Sequence, residues 1–579
     1  MFSRYYQSEL SYLRELGREF AATNPALTGL FAERGGDPDV ERLLEGFAFL
    51  TARIRERLDD AVPEVIEQLS QLALPHYVRS VPATSIVEFS PTLRATKGLQ
   101  RIPRGAELGT RQVDGRSCLF RTTRDLELLP LQVGHAELDA SIESAPKVRL
   151  TLQTSESGTS IVRQAGGFRL FLHGALPQAS MLFYWMTRHL ESVRLALPDG
   201  TTRELGRDAV RTPVLEDGGS VFPWPSSAPE DMRLALEYYT QPALLLFLDV
   251  SLTRVDVALT ESFELIFQFS RAPRLPERLE KEAFRLHCVP VVNLFDTTSE
   301  PIRRDVRSHE HPVRAAGIAP QHAEVFSVQR VMASRVKAAP IEYEPFFSFS
   351  HMDRPPDDQR YYWTRRAISP IDNGVETYVS FGSPRDLAPL PSDEVVSLEI
   401  TCTNRLLPND LRVGDISQPT SRSPSAAPFK NIVPVSRPVP PAIGNELHWR
   451  FIAHIAVNQR SLSDPAALRS ILGLYNVHES ADHQLGRANR LRVDAIRDVQ
   501  MRASKRLLDH VPTRGVDTTI ELDETAFASL GDLHLFGCAL DWFFASQAPV
   551  NTFHRLTILA HPSGNKIEWS PKSGIEPVF

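Results

Sequence analysis

From residue 1 to about residue 80 the apolar positions recur every three or four places. Phe2, Tyr6, Leu10, Leu13, Leu16 and Phe20 share one side of a helix, and Arg4, Glu9, Arg14, Glu15 and Arg18 fall on the other. A second helix is predicted to start at Asp37, a good N-cap, with Pro38 in its first turn and Val40, Leu43, Leu44, Phe47, Leu50, Ile54 and Leu58 on one side. Pro63 is read as opening a third helix through Val65, Ile66, Leu69 and Leu72, which Pro75 ends because proline disfavours helix at the residue before it. Three such helices make a bundle or half of one.

From about Thr84 the period shortens. Ser85 to Phe89, Arg149 to Gln153, Phe168 to Leu172, Ser192 to Leu197 and Phe263 to Phe269 alternate or run apolar between turn residues, the mark of antiparallel strands. Leu234 to Tyr239 reads as a short helix ahead of the apolar run Leu244 to Val250, whose own state stays open. Between Gln418 and Pro441 seven prolines alternate with Ser, Ala and Arg, so this segment is expected to form no ladder and to run extended over a surface. Helix returns at Asp464 and Pro465, and the chain closes as strand, helix, strand at Thr518 to Leu522, Leu533 to Ser546 and Thr552 to Leu559. The fold class is multidomain α+β. It is divided into a helical region (1–80), two β-rich domains (81–250 and 251–417), the proline-rich linker (418–441) and a C-terminal α/β domain (442–579).

A chain of 579 residues suits about three or four ordinary domains, and 42% hydrophobic with 23% charged residues is a globular composition. The formal charge of −7 gives no general attraction to nucleic acid or anionic membranes. Cys118, Cys288, Cys402 and Cys538 are far apart, without a C-x-x-C pair, and are read as reduced and mostly buried. The amino terminus lacks a signal-peptide pattern, and the purest apolar stretch, Ala243 to Leu248, is far short of the ~20 residues that cross a bilayer. A cytoplasmic protein with no direct membrane insertion is expected.

The chain carries no phosphate-binding loop, dinucleotide fingerprint, H-E-x-x-H or G-x-S-x-G elbow. His309, Glu310 and His311, with His322, are the best metal candidates, but their spacing matches no ligand pattern, and a solvated loop is the preferred account. The acidic pairs Asp59–Asp60 and Asp357–Asp358 read as surface turns. His76 and Tyr77 read as hydrogen-bonded residues at a domain boundary. Phe222 and Trp224, between prolines, are either interface anchors or plugs for their own domain. No catalytic, metal or cofactor residue is assigned, and the chain is read as a non-enzyme.

Collinear motifs give a positive signal. Tyr5 to Asp60, FRTTRDLELLPL (Phe120 to Leu131), HCVPVVNLFDTTSEPI (His287 to Ile302), CTNRLLPNDL (Cys402 to Leu411), LHWRFIAHIAVN (Leu447 to Asn458) and NTFHRL (Asn551 to Leu556) resemble the signatures of the TssF (ImpG or VasA) family of type VI secretion baseplate proteins. Leu406 departs from the Asp usual there. The resemblance implies a structural wedge subunit: two TssF copies with one TssG around the VgrG spike, a platform for TssK, TssE and, indirectly, the contractile sheath, docked at the inner-membrane complex through other subunits. Alternatives are a β-rich carbohydrate-active hydrolase and a phage tail baseplate wedge protein. Tyr6, Leu13, Leu16, Phe20, Phe222, Trp224, Asn404 and Arg405 are the candidate partner-binding residues. For Asn293 to Phe295 and Thr403 to Arg405, a turn or core role inside the chain is the competing account.

Overall fold

The computed structural model describes the chain apart from residues 1–5, 8–9, 15, 17–37, 92–97, 140–145, 217–218, 225–231, 272–278, 305–307, 336–338, 347–359, 370–371, 373, 383–393, 444, 456–460, 509–510 and 575–579, together with the side chains of 38, 40–41, 54–65, 216, 445–446, 455, 461 and 508. The Asp37 cap, Phe20 and both acidic pairs therefore lie outside the described residues or side chains.

Residues 6–7, 10–14 and 16 are helical, as their periodicity predicts. The next element corrects the sequence reading, because Pro38–Ala73 is one continuous helix that runs through Pro63. An internal proline forfeits one backbone hydrogen bond, and anchoring of the last turns on a sheet helps to offset that loss. Gln68 and Gln71 each donate from Nε2 to the Thr364 carbonyl at 3.0 Å, and the Glu67 carboxylate accepts the Arg366 N–H at 2.8 Å. Pro75 lies just beyond the helix end, as expected.

Mixed α+β architecture follows. Thr84–Phe89 lies inside a five-stranded sheet, antiparallel to Cys288–Val292 on one side and to Phe429–Asn431 on the other. That last strand corrects the linker expectation, since the proline-rich segment does contribute a short ladder. Its prolines at 428 and 434 flank three residues free to pair, and Phe429 and Asn431 are buried there. A second sheet centres on Ser262–Phe269, which pairs with Lys147–Thr154 and Leu190–Ala196. Burial alternates along it without a break, so one face is core and the other is not. Phe247–Ser251 and Gly167–Leu172 form the heart of a third, four-stranded sheet, which resolves the 244–250 run as a short 3-10 turn followed by strand. An eight-stranded sheet between residues 295 and 403 carries its own core around Val331, Leu398 and Ile400.

The carboxy-terminal unit is built from the hairpin Ile496–Leu508 and Val511–Asp523, a crossover helix Leu530–Ser546, and Thr552–His561 returning parallel to the second hairpin strand. Ser529 caps the helix by accepting the Asp532 N–H at 3.1 Å. The helix is buried on nearly every side, and it packs on the middle of the chain through Leu176–Arg188 and Arg233–Thr240. Gly531 makes the crossing possible, because a Cβ there would stand 2.2 Å from the Ser180 carbonyl carbon. One continuous hydrophobic cluster consequently runs from Leu74 through Phe183, Tyr238 and Phe267 to Phe536, Ile558 and Trp569.

Two polar side chains lock this junction. Asp532, fully buried, accepts from Tyr238 Oη at 2.7 Å, from Arg492 Nη2 at 2.9 Å and from the Ala528 N–H at 3.1 Å. Arg492 also donates from Nη1 to Asn489 Oδ1 at 2.9 Å, and Asn489 Nδ2 donates to the Tyr239 carbonyl at 3.0 Å.

Candidate assembly interface

Asn293 and Asn404 come from different motifs and meet in the interior, at 0% and 1% exposure. The Asn404 N–H donates to Asn293 Oδ1 (2.8 Å), and Asn293 Nδ2 donates both to Asn404 Oδ1 (2.8 Å) and to the Leu119 carbonyl (2.8 Å). Asn404 Oδ1 also accepts the Leu119 N–H at 2.9 Å. The pair thus stitches together the strand Arg116–Thr122, the turn after Cys288–Val292 and the turn after Val395–Thr403. Asn404 is accordingly an internal fastener in this structure, the competing account given for the Thr403 to Arg405 turn. Arg405, next to it, adopts a left-handed φ of 52° and reaches the Asp372 carboxylate (2.7 Å) and the Pro320 carbonyl (3.0 Å) through Nη1. Its hydrogen bond holds the Asp372 carboxyl down at about 2. Replacing Asn404 with Leu takes the Oδ1 acceptor away from buried Asn293 Nδ2 and from the Leu119 N–H, while the backbone bond to Asn293 Oδ1 survives, and is expected to cost about 3 kcal/mol. A lowered urea midpoint with unchanged far-ultraviolet dichroism is the expected reading.

Phe222 is also turned inward, at 4% exposure, and so plugs its own domain. Its loop is tied down by Glu237, whose Oε1 accepts the Val221 N–H at 2.7 Å. Trp224 is half-buried and stacks on His76, with ring centroids 4.7 Å apart. His76 Nε2 meets Tyr475 Oη at 3.0 Å, and Tyr77 and Tyr475 both approach His454 Nδ1 at 3.3 Å. His76 and Tyr77 are therefore parts of an aromatic knot that joins the end of the first long helix, the 222–224 loop and the helices Asn445–Ile455 and Pro465–Leu474. Burial pushes the His76 imidazole down to about 3, which removes it as a base near neutrality.

The long helix inverts the expected burial. Ala48 and Ala52 are fully enclosed, while Leu43, Phe47 and Leu50 are 74%, 54% and 61% exposed. These three fall on one stripe by their spacing. The neighbouring helix Asn445–Ile455 packs against this one and presents Trp449 and Ile452, 71% and 51% exposed. Near the amino terminus Tyr6 and Leu13 are half-buried, and Tyr12 and Leu16 are exposed. Large apolar side chains gathered on adjacent helices and left in water have the character of an interaction surface.

The reactive groups singled out by type are buried or paired. His534 Nε2 lies 3.8 Å from Cys538 Sγ, a nucleophile-and-base pairing by type, yet both are enclosed within the junction. Burial raises the Cys538 thiol to about 11, so it stays protonated. All four cysteines are free and buried, as expected. Glu310 of the metal candidate is engaged by Arg365 through Nε (2.9 Å) and Nη2 (2.7 Å), and His311 lies buried in a two-residue strand. Among the described residues no His, Cys, Asp and Glu side chains group in a way that would hold a metal, and no helix is long and apolar enough to cross a membrane. A cleft of about 670 Å³ is lined in part by paired charges, Arg169 with Asp249 and Arg101 with Asp125.

Comparison with known proteins adds the biological setting. The chain matches the family described as Type VI secretion system, TssF over residues 1–576. It is 28% identical to type VI secretion system component TssF1 of Pseudomonas aeruginosa, with 99% of this chain and 98% of that protein aligned. It is similar to a chain in a cryo-electron-microscopy structure of the type VI secretion TssK-TssF-TssG baseplate subcomplex, with a TM-score of 0.79, 30% identity, and 92% of this chain and 98% of that one covered. A chain of a type VI secretion baseplate complex is also similar, at a TM-score of 0.61 and 25% identity over the full length of both.

Proposed function

Because this chain belongs to the TssF family of the type VI secretion system, we propose that it is a structural subunit of the baseplate that works by binding other proteins and catalyses no reaction. TssG and TssK are its partners in this reading, by analogy with the subcomplex that its similar chain occupies. Two copies of the chain per TssG, contacts to TssE and the VgrG spike, support of the sheath, and a cytoplasmic position against the inner-membrane complex complete the assignment. The exposed apolar stripe of Leu43, Phe47 and Leu50 beside Trp449 and Ile452 carries the reading, since a permanent interface is anchored by such side chains and buries upward of ~2,000 Å². Tyr6, Leu13 and Leu16 extend the same role to the amino-terminal helix.

Co-expression with TssG tests it. The wild-type chain is expected to co-purify as a stable complex, and the Phe47→Glu/Trp449→Glu double variant to remain folded while losing at least about tenfold in affinity. Full complex formation by a folded double variant would remove this surface from the interface. A solitary wild-type chain that ignores TssG would remove the function.

A further inference from the structure

We propose that Arg304, Arg335 and Arg360 form a receptor for a doubly charged oxyanion, of which inorganic phosphate is the simplest. All three guanidinium groups converge on one carboxylate, the fully enclosed Glu394. Arg335 donates to it through Nε (2.8 Å) and Nη2, Arg360 through Nη1 and Arg304 through Nη1 (3.3 Å), and Tyr343 Oη adds a bond of 2.8 Å. A carboxylate offers about four lone-pair sites, and these donors fill them. Each guanidinium carries about five N–H donors and one positive charge. Among the described residues Glu394 therefore cancels one charge of three, and the cluster keeps a formal excess of two positive charges, with its outer N–H groups left to solvent. Among the described residues no other carboxylate pairs with these arginines.

Elsewhere in the same sheet Arg330 pairs with Glu342, Arg365 with Glu310 and Arg405 with Asp372, so those cations have carboxylates of their own. At the triad the side chains keep 10%, 24% and 16% exposure for Arg304, Arg335 and Arg360, so solvent reaches the cluster while Glu394 forms its floor. The groups are also rigidly placed. Arg304 follows the strand Ile302–Arg303, Arg335 follows Glu324–Ser334, Arg360 precedes Tyr361–Ile368 and Glu394 precedes Val395–Thr403, so the ends of four paired strands fix the arrangement. A phosphate carries the missing charge and matches the planar fork of each guanidinium.

Isothermal titration of the full chain with sodium phosphate, against a chloride-matched control, tests the site. Saturable binding at one site per chain is expected, weakened about tenfold in Arg335→Gln. That variant leaves two arginines on Glu394, and circular dichroism checks its fold. Glu394→Gln removes the resident competitor and is expected to bind phosphate at least as tightly as the wild type. Competition with phenyl phosphate separates the sources: displacement identifies a site open to esterified phosphate groups, and its failure identifies a site for the free ion. Absence of saturable heat in the wild type, or undiminished binding in a folded Arg335→Gln, overturns the proposal and leaves the triad as a clamp on strand ends.

Discussion

Asp532→Ala is expected to destabilise the protein by about 3–5 kcal/mol, because it strands the buried Arg492 guanidinium without its counter-charge. The same change deprives Tyr238 Oη and the Ala528 N–H of their acceptor. Asp532→Asn is expected to cost less, since its amide oxygen still accepts from Tyr238. The double change Arg492→Met/Asp532→Leu is expected to recover the part of the loss due to the stranded charge, because an apolar pair of similar volume carries no desolvation penalty, while Tyr238 Oη and the Ala528 N–H stay without their acceptor. Urea melts followed by tyrosine and tryptophan fluorescence measure all three. An Asp532→Ala midpoint close to wild type would show that the junction is held by apolar packing alone.

Acidification is expected to act on a similar scale through buried histidines. Burial pushes His287 and His478 down to about 4, His554 to about 3 and His534 well below its ordinary range. In the unfolded chain each takes up its proton near pH 6.5. Between that value and the folded one the unfolded state binds more protons, so stability falls as pH drops below about 6.5 and is intact above it. Each such group contributes a loss of about 1.4 kcal/mol per pH unit across that window. The geometry explains the resistance to protonation: His287 Nε2 accepts the Leu129 N–H at 3.2 Å, a bond the imidazolium cannot make. Thermal melts at pH 7, 6 and 5 should show a steep fall, and His287→Gln should make it shallower by the share of that one group, the other three histidines still acting. A flat profile would refute the account.

How much of this was legible in the sequence depended on whether the signal was local. Strands with one face in the core announce themselves, and Ser262–Phe269 alternates in structure as it does in sequence. The helix Pro465–Leu474 was readable from its cap, and Asp464 Oδ1 accepts the Ala466 N–H at 3.1 Å. Leu176–Arg188, by contrast, carries apolar side chains around its whole circumference and has no stripe to detect, because both flanks are covered by other elements. Pro63 misled for the opposite reason: a strong local breaker was overruled by anchoring further along the same helix. Amphipathic periodicity disclosed that the long helix has an apolar stripe but not whether the chain itself covers it. Ala48 and Ala52 face inward instead, and the larger residues are left for a neighbour. Asn293 and Asn404 each stood out within a motif, yet their meeting across 111 positions is a tertiary fact with no local trace.

The helix Leu530–Ser546 fills the core of elements made far earlier in synthesis. Until it leaves the ribosome, the groove formed by Leu176–Arg188 and Arg233–Thr240 stands open and greasy. A prematurely terminated product keeps that groove uncovered and is a ready target for chaperones and proteases. Completion of translation thereby becomes a checkpoint, and the baseplate is spared the incorporation of a defective member.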